Sequence, residues 1–214
     1  MLKDVKAAIF DMDGTLIDSM WVWGKIDEDY LLKRGLNMPD TLRDHIEHLS
    51  IYDTAIYFKE KFNLEDSLDE ILKEWHDMAM AEYRDNVFLK PGADDFIKSL
   101  KDKGIKIALA TSNSVPLLEM ILKKYNIYNY FDVITTTDEV ERDKSFPDVY
   151  LLTAERLKVS PEECVVFEDI LPAIKGAKSA GMKVVAVYDS FSHHNMDAII
   201  LESDKFIKNY INFK

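Results

Sequence analysis

Cysteine is almost absent from this chain, which has Cys164 as its single thiol. One cysteine excludes an internal disulfide, and its place in the apolar run "CVVF" indicates a buried thiol in a reducing compartment. The N-terminus has no long apolar stretch after a basic start, so we expect no signal peptide. No apolar run is long enough to span a bilayer. These absences together favour a cytoplasmic protein.

Basic side chains are also scarce, with 27 lysine and arginine residues against 39 aspartate and glutamate residues and a formal net charge of -12. This balance disfavours nucleic acids and anionic membranes as partners, because both would be repelled. It does not exclude a small phosphorylated metabolite, since a bound cation reverses the field inside a cleft. We expect the chain to be a monomer or a weak homodimer.

Five short apolar runs alternate with amphipathic stretches and predict a parallel sheet that is covered on both faces. These runs are residues 5–10, 105–111, 132–136, 164–167 and 183–188. Residues 17–87 differ, because they hold long helical patterns such as "LDEILKEWHDMAMAEYRD" and no convincing strand. The sequence therefore predicts an α/β fold. A Rossmann-like parallel sheet core, residues 1–16 and 88–214, is interrupted by an all-α domain at residues 17–87.

Chemically reactive side chains stand at the carboxyl ends of the predicted strands, the edge at which open parallel sheets bind ligands. They are Asp11, Asp13, Thr111, Lys144, Glu168 and Asp169. Carboxylates this close repel one another, and their burial is costly unless a cation compensates. Mg²⁺ prefers oxygen ligands, while a hydroxyl, exposed amides and a lysine bind phosphate oxygens. These residues therefore predict a magnesium and phosphate site.

The segments that carry this chemistry resemble the motifs of the haloacid dehalogenase superfamily, in the same order along the chain. They are "FDMDGTL", "LATSN", Lys144 and "FEDILPAIKGAKSAGM". The early helical insertion is similar to the cap of one large subgroup, which includes beta-phosphoglucomutase and phosphoglycolate phosphatase. The resemblance covers nearly the whole chain and implies a phosphatase with a helical cap.

The resemblance also implies a role for each matching residue. Asp11 would be the nucleophile that forms an aspartyl-phosphate, and Asp13 would protonate the leaving group and later activate water. The phosphate-binding residues would be Thr111, Ser112, Asn113 and Lys144. The ligands of Mg²⁺ would be Asp11, the backbone carbonyl of Asp13, Asp169 and Glu168. The metal and the lysine are needed because an anionic nucleophile must approach an anionic phosphate.

Two stretches depart from the family pattern. The family usually has Gly and Pro on either side of the motif lysine, whereas Asp143 and Ser145 flank Lys144 here. This change bears on the geometry of the loop more than on its charge. Ile170 and Pro172 stand where the family commonly has Ser and Gly.

We predict magnesium-dependent hydrolysis of a small phosphomonoester, and two alternatives stay open. A sugar-phosphate mutase of the same superfamily is disfavoured because this chain has Trp23 where such mutases carry a histidine. The alternative from another class is a non-catalytic regulator that binds phosphate.

Overall fold

The structure, a computed structural model, describes residues 4–46, 51–211 and 213. It divides into two compact units. One consists of Met1–Ser19 and Val87–Lys214, and the other consists of Met20–Asn86. We refer to them as the core unit and the helical unit.

The described residues of the core unit form eight strands. They are β1 (Ala7–Phe10), β2 (Ile17–Asp18), β3 (Phe88–Leu89), β4 (Lys106–Thr111), β5 (Val133–Thr136), β6 (Cys164–Glu168), β7 (Lys183–Val187) and β8 (Lys205–Ile207). Six of them form one parallel sheet in the order β5-β4-β1-β6-β7-β8. This is the Rossmann-like architecture that the sequence predicts, and that prediction is confirmed.

The inner strand β1 lies between β4 and β6, in register with both, and all four of its residues are fully buried. On one face of the sheet, Ile9 packs with Val166 and with the helices of that side. On the other face, the rings of Phe10 and Phe167 stack with their centroids 4.6 Å apart. Burial on both faces explains why the strand sequences are apolar without alternation.

The helical unit contains α1 (Trp21–Lys33), α2 (Leu42–Ile46), α3 (Ile51–Lys61) and α4 (Leu68–Asp85). Helix α4 begins with a capping box, in which Ser67 and Glu70 each bond the other's backbone N–H. Its buried residues, Ile71, Trp75, Ala79 and Tyr83, recur every four positions, which is the spacing that places side chains on one helix face. This unit therefore buries its own apolar core.

The described residues of the core unit also form five α-helices. They are α5 (Ala93–Asp102), α6 (Val115–Lys124), α7 (Asp148–Leu157), α8 (Leu171–Ser179) and α9 (Met196–Glu202). Helices α7 and α8 contribute Tyr150 and Ile174 to the cluster around Ile9. Within the described ranges, no helix has the length and apolarity needed to cross a bilayer.

Strands β2 and β3 form a separate antiparallel pair, with Ile17 opposite Leu89 and Asp18 opposite Phe88. The chain therefore leaves the core unit and returns to it through one pair of neighbouring strands. The expectation that residues 17–87 contain no strand was wrong at Ile17–Asp18. A strand of two residues is too short to show an alternating pattern in the sequence.

Candidate active site

A cluster of acidic side chains lies at the carboxyl ends of β1 and β6, which are neighbours in the sheet. Asp11 directly follows β1, Glu168 ends β6 and Asp169 follows it. Each of the three offers a carboxylate oxygen within 4.8 Å of those of the other two, and all three are buried. The structure thus brings together acids that are remote in the sequence, because parallel strands end at a common edge.

Lys144 is the cation of this cluster. Its ammonium group donates to Asp11 Oδ1 at 2.6 Å and forms an ion pair with Glu168 Oε1, and the lysine is only 7% exposed. Burial by itself lowers the pKa of Lys144, but the charges of Asp11 and Glu168 outweigh it and hold this pKa well above its ordinary value. The lysine is therefore charged at neutral pH and faces the predicted nucleophile.

Glu168 is bonded through both carboxylate oxygens. Oε1 faces Lys144 and accepts a hydrogen bond from the Tyr150 hydroxyl at 3.2 Å. Oε2 accepts from the backbone N–H of Asp169 at 2.9 Å. These contacts shape the loop after β6 and give the lysine a second counter-ion.

Asp169 combines one bonded oxygen with one that has no partner. Thr15 donates its hydroxyl hydrogen to Asp169 Oδ1 at 3.0 Å, whereas Oδ2 is buried and has no hydrogen-bond partner in the described part of the chain. Burial, together with the charges of Glu168 and Asp11, raises the pKa of Asp169 well above its ordinary value. A buried carboxylate oxygen without a hydrogen-bond donor is energetically costly, and a bound cation would remove that cost.

Opposing effects also act on the pKa of Asp11. Burial raises the pKa of Asp11 to about 7, against the lowering effect of Lys144 and with a further increase from Glu168. One lysine therefore does not offset the charge of these carboxylates. Carboxylate ligands with excess negative charge, including the Asp169 Oδ2 atom described above, fit a hard divalent cation.

Asp13 lies on the turn after β1, and hydrogen bonds fix its side chain on both sides. Ser19 donates its hydroxyl hydrogen to Asp13 Oδ1 at 2.6 Å, and the Asn113 side-chain amide donates to Oδ2 at 2.9 Å. Gly14 adopts a φ of 80°, which a residue without Cβ does readily. The turn therefore directs the second predicted catalytic carboxylate toward the end of β4.

The predicted phosphate-binding residues begin at the end of β4, next to β1. Thr111 is 1% exposed, and its hydroxyl oxygen accepts from the backbone N–H of Asn113 at 3.0 Å. Ser112 is exposed, and Asn113 is bonded to Asp13. Lys144 reaches the cluster from the loop that precedes α7. Hydrogen bonds and ion pairs thus join Asp11, Lys144, Glu168 and Asp169 in one group, and Asp13, Asn113 and Thr111 in another, while Ser112 is exposed.

Three residues with clear contacts in this region carried no assigned role in the sequence analysis. Thr15 bonds Asp169, Tyr150 bonds Glu168, and Ser19 bonds Asp13. Thr15 lies inside the first motif, so its position was a usable signal. Tyr150 is an ordinary aromatic residue of a buried helix face, and no sequence pattern singles it out.

Comparison with known proteins identifies relatives over most of the chain. Residues 8–187 match the family model described as haloacid dehalogenase-like hydrolase. The bifunctional riboflavin kinase/FMN phosphatase of Arabidopsis thaliana is 34% identical over 87% of this chain, which covers 49% of that protein, about half its length. The phosphorylated carbohydrates phosphatase of Thermotoga maritima is 33% identical over 84% of this chain and 83% of its own length.

A solved structure shows the same fold. CbbY from Rhodobacter sphaeroides, crystallised with phosphate, aligns with a TM-score of 0.80 at 24% identity, over 97% of this chain and 96% of CbbY.

Proposed function

Since this chain belongs to the haloacid dehalogenase-like hydrolases and is a phosphoric monoester hydrolase, we propose that it hydrolyses a small phosphomonoester with Mg²⁺, through an aspartyl-phosphate on Asp11. The observation that carries this proposal is the buried contact between Lys144 and Asp11, beside the Asp169 oxygen that has no hydrogen-bond partner among the described residues. A lysine and a cation are what a carboxylate needs in order to attack a phosphate dianion.

Asp11 and Asp169 would hold the metal ion, together with the backbone carbonyl of Asp13. When bound, Mg²⁺ would offset the charges of the nucleophile and the phosphate and stabilise the equatorial oxygens. We assign Glu168 to holding Lys144 rather than to direct ligation, because both of its oxygens already accept hydrogen bonds or face the ammonium group.

Asp11 would act as an ionised carboxylate that Lys144 orients through one oxygen. A carboxylate oxygen forms a bond to phosphorus as the bond from phosphorus to the ester oxygen breaks. Asp13 gives its proton to the departing oxygen, and then takes a proton from the water that attacks the phosphoaspartate. Phosphate leaves, and both carboxyl groups return to their starting states.

Hydrogen bonds from Ser19 and Asn113 support this role of Asp13, because they restrict the rotation of its carboxyl group. A general acid must be held within hydrogen-bond reach of the atom it protonates. Thr111, Ser112, Asn113 and Lys144 would bind the phosphoryl oxygens. The buried Thr111 hydroxyl and the Lys144 ammonium would be the main groups for this purpose.

The helical unit would serve as a cap that excludes bulk water and macromolecular substrates. We propose a phosphorylated carbohydrate as the first substrate class to test, which the name of the Thermotoga relative supports. A monomer or weak homodimer in the cytoplasm, with neither nucleic acid nor membrane as partner, stays a prediction.

The test is hydrolysis of p-nitrophenyl phosphate, with Mg²⁺ and with EDTA. We expect activity only with Mg²⁺, and a loss of more than about 10⁴-fold in Asp11→Asn. Asp197→Asn is the matched control, because it makes the same chemical change at an exposed carboxyl group of α9. Full activity of Asp11→Asn would exclude the proposed nucleophile.

Two further measurements on the same protein separate the two alternatives. A stable phosphoprotein that is not turned over would indicate a regulator, and a requirement for a bisphosphate would indicate a mutase. A screen of phosphorylated carbohydrates, nucleotides and glycolate, compared by kcat/KM, would then identify the substrate class.

A further inference from the structure

The loop that presents Lys144 is exposed, although the lysine itself is buried. Asp143, Ser145 and Phe146 all face solvent, whereas Lys144 reaches Asp11 and Glu168. A long side chain anchored in such a loop depends on the backbone around it for its position. The contacts that fix this backbone therefore bear directly on the reaction.

Asp143 closes the loop twice. Its backbone carbonyl accepts from the N–H of Phe146 at 3.1 Å, which makes residues 143–146 a hydrogen-bonded turn. Its side-chain oxygen Oδ1 accepts from the backbone N–H of Ser145 at 2.8 Å, and also from the Ser145 hydroxyl. An aspartate at the first position of a turn, bonded two residues ahead, is a preferred way to rigidify it. Lys144 stands inside this double closure.

The residues on either side of the turn are also held. Arg142 donates from Nε to Asp148 Oδ1 at 3.0 Å, and Asp148 is the first residue of α7. The Arg142 guanidinium lies 4.4 Å from the centroid of the Phe146 ring. The turn is therefore tied to the helix that follows it.

The identities of Asp143 and Ser145 are linked. The bond to Asp143 Oδ1 requires an N–H at position 145, which serine has and proline lacks. The Gly and Pro that flank the motif lysine in the family could not form it. The hydrogen bonds from the side chain and backbone of Ser145 lower the pKa of Asp143, so its carboxylate is an ionised acceptor at neutral pH.

We propose that Asp143 and Ser145 are positioning residues for Lys144, and that their hydrogen-bonded turn replaces the family's Gly and Pro. This inference rests on the proposed function, because it gives Asp143 an effect only through the lysine that faces the nucleophile. The two departures from the family pattern, at positions 143 and 145, would thus compensate for each other.

The first test compares two substitutions of one residue by kcat and KM for p-nitrophenyl phosphate. Asp143→Ala removes the acceptor, and a shift of about 1 Å in a catalytic group costs about 10²-fold, so we expect kcat/KM to fall 10- to 100-fold. Asp143→Asn loses the same charge but keeps an Oδ1 acceptor, and we expect it to stay within about 3-fold of the wild type.

Glu141→Ala is the matched control for charge. Glu141 is exposed, and its substitution removes one negative charge from the same loop while leaving residues 143–146 unchanged. We expect wild-type kcat/KM. A melting temperature for each variant, together with the asparagine rescue, separates loss of the turn from general unfolding.

A double-mutant cycle with Lys144→Met decides whether the turn acts through the lysine. We expect Asp143→Ala to reduce kcat/KM in the wild type and to have no further effect in Lys144→Met. Equal losses in both backgrounds, or wild-type activity of Asp143→Ala, would overturn the inference. If Lys144→Met is fully active, or the wild type is inactive, the proposed function fails as well, so the two failures are distinguishable.

Discussion

A methyl group added at Gly176 should reduce activity from a position outside the acidic cluster. Gly176 lies on α8, and a Cβ built there would stand 2.0 Å from the backbone carbonyl oxygen of Lys144 and 2.9 Å from that of Phe146. These atoms belong to the backbone of the turn that carries the lysine. They cannot avoid the methyl group by rotating a side chain.

The size of the effect follows from these distances. Ordinary contact begins at 3.4 Å, so the Lys144 carbonyl must retreat by about 1.4 Å. A displacement of this size at the lysine proposed to orient the nucleophile should lower kcat/KM about 10²-fold, equivalent to about 2.7 kcal/mol. Overpacking costs about 1–3 kcal/mol of folding stability, while alanine gains about 1 kcal/mol over glycine inside a helix. The net loss of stability in Gly176→Ala should therefore be about 0–2 kcal/mol.

The assay is kcat/KM for p-nitrophenyl phosphate together with urea denaturation. Gly24→Ala is the control, because Gly24 lies inside α1 and no described atom is within 4 Å of its added Cβ. We expect that variant to gain up to about 1 kcal/mol of stability and to keep its activity. If Gly176→Ala keeps kcat/KM within about 3-fold of the wild type, the argument from close packing is wrong.

Three further predictions concern the buried charges. Because the pKa of Asp11 is raised from 3.8 to about 7, the metal-free folded state keeps a proton there that the unfolded chain releases. Its stability should therefore fall as the pH rises through this window, by up to about 1.4 kcal/mol per pH unit, and Mg²⁺ should raise Tm more at about pH 8 than at about pH 6. Lys90 forms an ion pair with Asp189 at 2.7 Å, so Lys90→Met leaves the buried Asp189 carboxylate without this cation. Calorimetry should show a loss of about 3–5 kcal/mol, largely recovered in Lys90→Met/Asp189→Leu, and an unchanged Tm would contradict it. Thr15→Val removes a donor to Asp169, and titration calorimetry should show Mg²⁺ affinity reduced about 10-fold or more. Wild-type affinity would exclude an orienting role for Thr15.

The sheet was predictable where burial on both faces leaves an apolar run, as at Ala7–Phe10 and Lys183–Val187. Strand β8 was missed because Lys205–Ile207 has three residues, and only Ile207 is buried. Short edge strands are specified by pairing with a neighbour, and that information lies outside the segment itself. The class of fold therefore followed from the longer strands alone.

Which residues form the site was easier to predict from the sequence than the hydrogen bonds between them. A residue at the carboxyl end of a parallel strand reaches the common edge whatever its partners are, which is why Asp11 and Asp169 could be grouped from the sequence. The bond from Tyr150 to Glu168 depends on how α7 packs on the sheet. The approach of Gly176 to the Lys144 loop depends on the packing of α8 in the same way. Such contacts between distant segments have no local pattern, and the assigned catalytic roles stay predictions.

The pairing of Ile17–Asp18 with Phe88–Leu89 has a consequence for how such a chain can diversify. This pairing holds the two ends of residues 19–87 side by side. Loop closure therefore costs little more for a long insertion than for a short one. A different set of helices could be exchanged there without a change in the order of the sheet. Selectivity for a new metabolite could then be acquired while the phosphate chemistry is inherited intact.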